Sequence, residues 1–194
     1  MEAANLGAWF APFDDDQLEA AIGLLASAPT YATDRDRYVE RALEVRDRWA
    51  GGGESLGVPT WVYLDEPTTG FATHIAKYFT NSIRENGLLA IARSGVVYAP
   101  GGAGTEQEIF TDTAQNSLTL YSVRSPMVFL GRRFFEGAHA ELLAAARKQA
   151  ATFGWEDLIY TCDDPADAVA FISAHDPDTA GAARAEPRRT HADT

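Results

Sequence analysis

The chain has 194 residues, of which 46% are apolar and 11% aromatic, enough for one domain to bury a core unaided. Its 28 acidic and 16 basic residues give a formal charge of -12, and no basic run exceeds a pair such as Arg188-Arg189, which excludes a nucleic-acid groove. The single Cys162 excludes an intrachain disulfide or a cysteine metal cluster, and no apolar run approaches the ~20 residues of a membrane helix, so a soluble cytoplasmic protein with no membrane partner is expected.

The opening MEAANLGAWF lacks the positive n-region of a secretory signal. Residues 14–27 (DDDQLEAAIGLLAS) and 33–50 (TDRDRYVERALEVRDRWA) predict two helices with acidic residues near their starts. Leu18, Ala21, Ile22 and Leu25 fall at core spacing in the first of them. Residues 51–57 (GGGESLG) precede a strand rather than a helix, which reads as a linker or lid and not as a phosphate cradle. No strand is expected before residue 59.

From there the chain alternates. PTWVYL (59–64), GVVYAP (95–100), PMVFLG (126–131) and DLIYTC (157–162) are short, β-branched or aromatic, and bounded by Gly or Pro, as strands are. Residues 71–86 (FATHIAKYFTNSIREN) carry Phe71, Ile75, Phe79 and Ile83 at steps of four, which predicts a helix. Residues 104–118 predict a second helix and 136–154 a third, closed by Gly154. Pro165 opens a fourth, at 165–175. Strands regularly followed by helices predict a mostly parallel, doubly wound α/β sheet covered on both faces, occupying residues 1–175. The tail, 176–194, lacks large apolar residues and reads as disordered.

The chemically informative stretch is VVYAPGGAGTEQEIF (96–110). A strand ending near Tyr98 leads through Pro100-Gly101-Gly102-Ala103-Gly104 into a helix. Glycines allow close approach to backbone N–H groups, and the helix start adds unpaired donors and a positive dipole end. That combination suits an anion, a phosphate above all. Glu108 has two readings. With Thr105 it forms the T-x-x-E pattern of a capping box, and beside a phosphate loop it is a carboxylate available for chemistry. His74, Lys77, Asn81 and Arg84 are spaced 3, 4 and 3 apart, so on a helix they share one stripe, either a solvated polar face or a basic ligand-binding one. Gln115 and Asn116 read as surface polar residues or as ligand or partner contacts. The four histidines have no ligand-pair spacing, so no metal is expected.

Pro100-Gly101-Gly102-x-Gly104-Thr105-x-x-Glu108 resembles the signature of the LOG (Lonely Guy) family, often labelled lysine-decarboxylase-like. The resemblance runs to about Ser173. It implies a Rossmann-like doubly wound domain and a nucleoside 5'-monophosphate phosphoribohydrolase that works without metal or other cofactor. It also implies a homodimer or higher homo-oligomer with sites near the interface. It puts catalysis on Glu108 and on Arg84, in IREN (83–86), although Glu85 stands where that family's pattern has lysine. Gly101, Gly102, Ala103, Gly104 and Thr105 would hold the phosphate of a small-molecule nucleotide, with Lys77 and Asn81 nearby. Met1 stands where the family has a methionine near the start of a helix after an earlier glycine loop. The first strands of that domain are therefore expected to be missing. A decarboxylase would need pyridoxal phosphate and a Schiff-base lysine. The two lysines, Lys77 and Lys148, sit in no such motif. The alternative to an enzyme is a nucleotide-binding or regulatory module of the same fold.

Overall fold

The structure is a computed structural model that describes residues 2–61 and 70–175. Residues 62–64 of the expected 59–64 strand, the tail from 176 and Met1 lie outside the described residues. The chain divides into two compact units, one ending at Arg84 and the other beginning at Glu85.

The first unit opens with helices α1 (Glu2–Phe10), α2 (Asp15–Leu25) and α3 (Arg35–Arg48). The acidic starts act as caps. The Asp14 carboxylate accepts from Gln17 N at 2.8 Å while the Gln17 side chain accepts from Asp14 N at 3.2 Å, and Asp34 accepts from Arg37 N at 3.0 Å. Trp9, Phe10, Ala21, Ala42, Val45, Trp49 and Phe71 form the core, with Leu18 and Leu25 packed at its edge. Ile22, expected in that core, is 41% exposed. It follows Ala21, the residue of α2 that is fully buried, by about 100° around the helix and so turns toward solvent. Trp9 Nε1 donates to Trp49 O at 3.0 Å, and the Arg46 guanidinium lies 4.5 Å above the Trp9 ring.

The triple glycine is seated against α1. Gly53 N donates to Trp9 O at 3.0 Å; a β-carbon at position 52 would come 2.2 Å from the Trp9 ring, and one at 53 would come 2.4 Å from Ala8 O. Strand β1 (Leu56–Gly57) follows and pairs in parallel with β2 (His74–Ile75), and a bridge joins Thr60 to Tyr78. Two expectations are corrected here. The first strand begins before residue 59, and residues 74–78 are extended rather than helical. The Thr73 hydroxyl accepts from Ser55 N at 2.8 Å and donates to Ser55 O at 2.9 Å, while Ala76 N and Tyr78 N donate to Gly57 O and Pro59 O. Their β-branched and aromatic neighbours suit this ladder better than a helix. Ile75, Phe79 and Ile83 are accordingly 58%, 80% and 57% exposed instead of forming a buried stripe. Helix α4 (Asn81–Ile91) starts only after Thr80.

The second unit alternates as expected: β3 (Val96–Tyr98), α5 (Ala103–Leu118), β4 (Met127–Leu130), a π-helical turn (Arg133–Ala138), α6 (Ala140–Phe153), β5 (Ile159–Cys162) and α7 (Pro165–Ser173). The sheet order is β3-β4-β5, all parallel, with Val96 opposite Met127 and Met127 opposite Ile159. Side chains alternate across it. Met127 and Phe129 pack with Tyr98, Ile109, Phe135, Leu143 and Trp155 beneath α5 and α6, while Val128 and Cys162 pack with Ala168 of α7. Helices thus cover both faces of a parallel sheet, an α/β arrangement. Gly154, left-handed at φ 71°, ends α6, and Asp164 caps α7 ahead of Pro165. Among the described residues no helix is long and apolar enough to cross a membrane.

Candidate functional site

The glycine loop lies at the carboxyl end of β3, the end at which parallel α/β sheets hold ligands. Ala99, Pro100, Gly101 and Gly102 are exposed. Helix α5 begins at Ala103 with Gly102 as an extended N-cap that offers no side-chain hydrogen bond. Glu106 N donating to Gly102 O at 3.1 Å is the first turn's backbone bond, so the N–H groups of Ala103, Gly104 and Thr105 precede any intrahelical acceptor and meet no capping side chain. They form the positive end of a sixteen-residue helix. The half-buried Glu106 sits in the same first turn, favourable to the helix and opposed to a bound anion.

The expected capping box does not form. Because α5 starts at Ala103, Thr105 is its third residue and Glu108 its sixth, too deep for Glu108 to reach an N-cap. Thr105 instead lies over Gly101, where an added β-carbon would come 2.1 Å from Thr105 Oγ1. Glu108 is half-buried, and its charge is felt at Tyr98. Burial first, then the charge and hydrogen bond of Asp112, and last the charge of Glu108 push the Tyr98 phenol well above its ordinary 10.0.

The basic stripe does not form either. His74 belongs to β2 and Lys77 precedes α4, its Nζ 4.0 Å from the centre of the Trp61 ring. Asn81 and Arg84, both half-buried, stand in the first turn of α4. Lys77, Asn81 and Arg84 belong to the first unit, whereas the glycine loop, Thr105 and Glu108 belong to the second. The structure gathers the loop residues with Glu108 on one strand–loop–helix element and describes the three basic and amide residues within the other unit.

Gln115 and Asn116, read either as surface polar residues or as ligand or partner contacts, are buried, at 7% and 2% exposure. The polar pairing of Tyr98 and Asp112 escaped the sequence reading. Tyr98 Oη donates to Asp112 Oδ2 at 2.7 Å, both side chains being buried. Asn116 Nδ2 reaches Asp112 Oδ1 at 3.4 Å and Ser125 O at 3.1 Å, and Asn116 Oδ1 accepts from Ser125 N at 2.8 Å. Burial raises the Asp112 carboxyl from 3.8 to about 7, with the Tyr98 hydrogen bond pulling the other way. The signal was present: Ile109, Asp112, Thr113 and Asn116 recur at core spacing, so polar residues occupy the inner face of α5. Glu85, 1% exposed, accepts a hydrogen bond from Gln107 Nε2. An open groove of about 650 Å³ runs along the other side of α5, lined by Asn86, Gln107, Phe110, Thr111, Gln115 and Tyr121 among others.

Comparison of the chain with known protein families, with curated proteins and with solved structures finds no match.

Proposed function

We propose that the chain is a LOG-like phosphoribohydrolase with a Rossmann-like core, cleaving the N-glycosidic bond of a nucleoside 5'-monophosphate. The observation that carries this reading is the exposed glycine loop at the end of β3 and the N-terminus of α5 that no side chain caps, with Glu108 further along the same helix. Three unclaimed backbone N–H groups and a helix dipole suit a phosphate. In the reaction the C1'–N bond breaks, the base departs with the bonding electrons, and water adds its oxygen to C1' to give ribose 5-phosphate. The Glu108 carboxylate would face the positive charge that develops on the sugar and accept the water's proton, as carboxylates do in glycoside hydrolysis. That proton then passes to the departed base, which leaves as the neutral free base and returns Glu108 to its carboxylate. Arg84 would steady the departing base or the phosphate through its planar fork. Lys77 and Asn81 belong to the same reading as phosphate or nucleotide contacts. The exposed Phe110, Leu118 and Leu120 support a homo-oligomer.

Turnover tests this. The purified chain is incubated with AMP, GMP, CMP and UMP, and free base and ribose 5-phosphate are assayed. Release that Glu108→Gln lowers by at least about a hundredfold is the expected result. Nucleotide binding without release would replace the enzyme by a binding module of the same fold, and neither binding nor release would overturn both.

A further inference from the structure

We propose that Asp112 is a positioning residue of this site: through Tyr98 it fastens the end of β3 to α5, so that the glycine loop and Glu108 keep one relative placement, and the fastening responds to proton uptake. Its bearing on Glu108 rests on the phosphoribohydrolase reading; the fastening itself does not.

Tyr98 is the last residue of β3 and Asp112 stands in the third turn of α5. Everything between them in sequence, the loop and Glu108 included, is enclosed by their 2.7 Å hydrogen bond. The loop cannot slide against the helix without breaking a bond between two buried groups, which leaves both unsatisfied. The far side of Asp112 is secured as well. Asn116 links it to both backbone groups of Ser125, and Arg124 Nε donates to Asn116 O at 3.0 Å, so the fastening extends to the segment entering β4. Among the described residues, Glu108 on α5 is the further charge felt at the pair, at Tyr98, while Arg124, ahead of β4, meets the backbone of Asn116 rather than the pair itself. The π-helical turn and α6 contribute the apolar Phe135, Leu142 and Leu143 to the same core as Tyr98.

With Asp112 ionised, Tyr98 must be the donor, as it is here. Opening the fastening returns the carboxyl to water, where its affinity for a proton falls from the buried value of about 7 toward the ordinary 3.8. Opening therefore releases a proton at intermediate pH, and by linkage it becomes easier as pH rises between those two values and level above them.

The test is backbone amide exchange of Glu106, Gln107 and Glu108 by NMR, corrected for intrinsic rates. It uses the full chain, Asp112→Asn and Tyr98→Phe from about pH 4.5 to about pH 8.5, with base release from the four nucleotides measured over the same range. In the wild type, protection of these amides should fall about tenfold or more across the window. It should stay flat in Asp112→Asn and be about tenfold lower at every pH in Tyr98→Phe, while Ala168 N, bonded to Asp164 O, is unaffected. A pH step retained in Asp112→Asn, or wild-type protection in Tyr98→Phe, overturns the proposal. Should Asp112→Asn not fold, Tyr98→Phe, which removes one hydroxyl, decides alone. A pH step without base release overturns the hydrolase reading and leaves the fastening standing. Base release with no step, and with the same pH profile in Asp112→Asn, overturns the fastening alone.

Discussion

Thr105 lies over Gly101 so closely that a β-carbon at position 101 would come 2.1 Å from Thr105 Oγ1 and 3.0 Å from Thr105 Cβ. Inside a helix Thr105 is held to two χ1 rotamers, and no rotamer moves its Cβ. Gly101→Ala should therefore destabilise the chain by about 1–3 kcal/mol. Thr105→Ala should restore part of that in the double variant, because the hydroxyl is the nearer obstacle. Urea unfolding of the four chains of the cycle measures the coupling; strict additivity would show that the two positions do not meet.

Gly102 and Gly104 have nothing within 4 Å of an added β-carbon. Gly104 is helical, so Gly104→Ala should raise stability by up to about 1 kcal/mol. If these glycines serve ligand approach, the same change should weaken nucleoside monophosphate binding at least about tenfold. Calorimetric titration beside thermal unfolding separates the two. Unchanged affinity in the more stable variant would count against a phosphate at this helix start.

The contrast between Gly53 and Gly7 is purely structural. A β-carbon at 53 would press on the backbone oxygen of Ala8 at 2.4 Å, which cannot rotate away, whereas Gly7 in α1 has open space. Gly53→Ala should cost about 2–3 kcal/mol and Gly7→Ala should gain up to about 1 kcal/mol. Thermal melts by circular dichroism would show opposite shifts.

Helix α5 ends on Thr119 in the left-handed region, at φ 52°, a conformation a β-branched residue adopts only under strain. Its N–H still donates to Gln115 O, which keeps the cap. Thr119→Gly should stabilise by about 1 kcal/mol, read as a higher urea midpoint with an unchanged slope.

Asp112 also gives the stability of the chain a pH dependence with a definite sign. Its folded carboxyl holds its proton to about pH 7 against the ordinary 3.8, so its contribution is full below the ordinary value and lost as pH rises through about 7. Urea unfolding free energy should decline across that interval in the wild type and decline less in Asp112→Asn. At about pH 8 the asparagine variant should be at least as stable as the wild type, since it buries no charge. A wild-type curve that climbs across the interval and is matched by the variant would contradict this.

Much of the second unit was legible. Gly154 and Pro165 punctuate α6 and α7 as their backbone preferences require, and the β-branched runs at Val96, Met127 and Ile159 became the three paired strands. The loop after Tyr98 turns into a helix where its glycines indicated. Legibility failed where two periods compete. Phe71, Ile75, Phe79 and Ile83 fit a helical step of four, yet Thr73 and Ser55 exchange hydrogen bonds across a ladder, and a ladder's partner lies elsewhere in the sequence. The Thr105–Glu108 pattern failed for a smaller reason: the helix starts three residues earlier than a capping threonine needs.

By itself the sequence determined the alternation of strands and helices in the second unit and the glycine-led entry to α5, because turn glycines, prolines and β-branched runs act over a few residues. Only the tertiary structure decided which polar side chains are interior. Asp112, Asn116 and Glu85 are buried because a strand end, the segment before β4 and a neighbouring helix supply hydrogen bonds from 14, 9 and 22 residues away. It likewise decided that Glu108 does not cap its helix. Burial and partnership are properties of what folds against a residue, and local pattern carries no record of that.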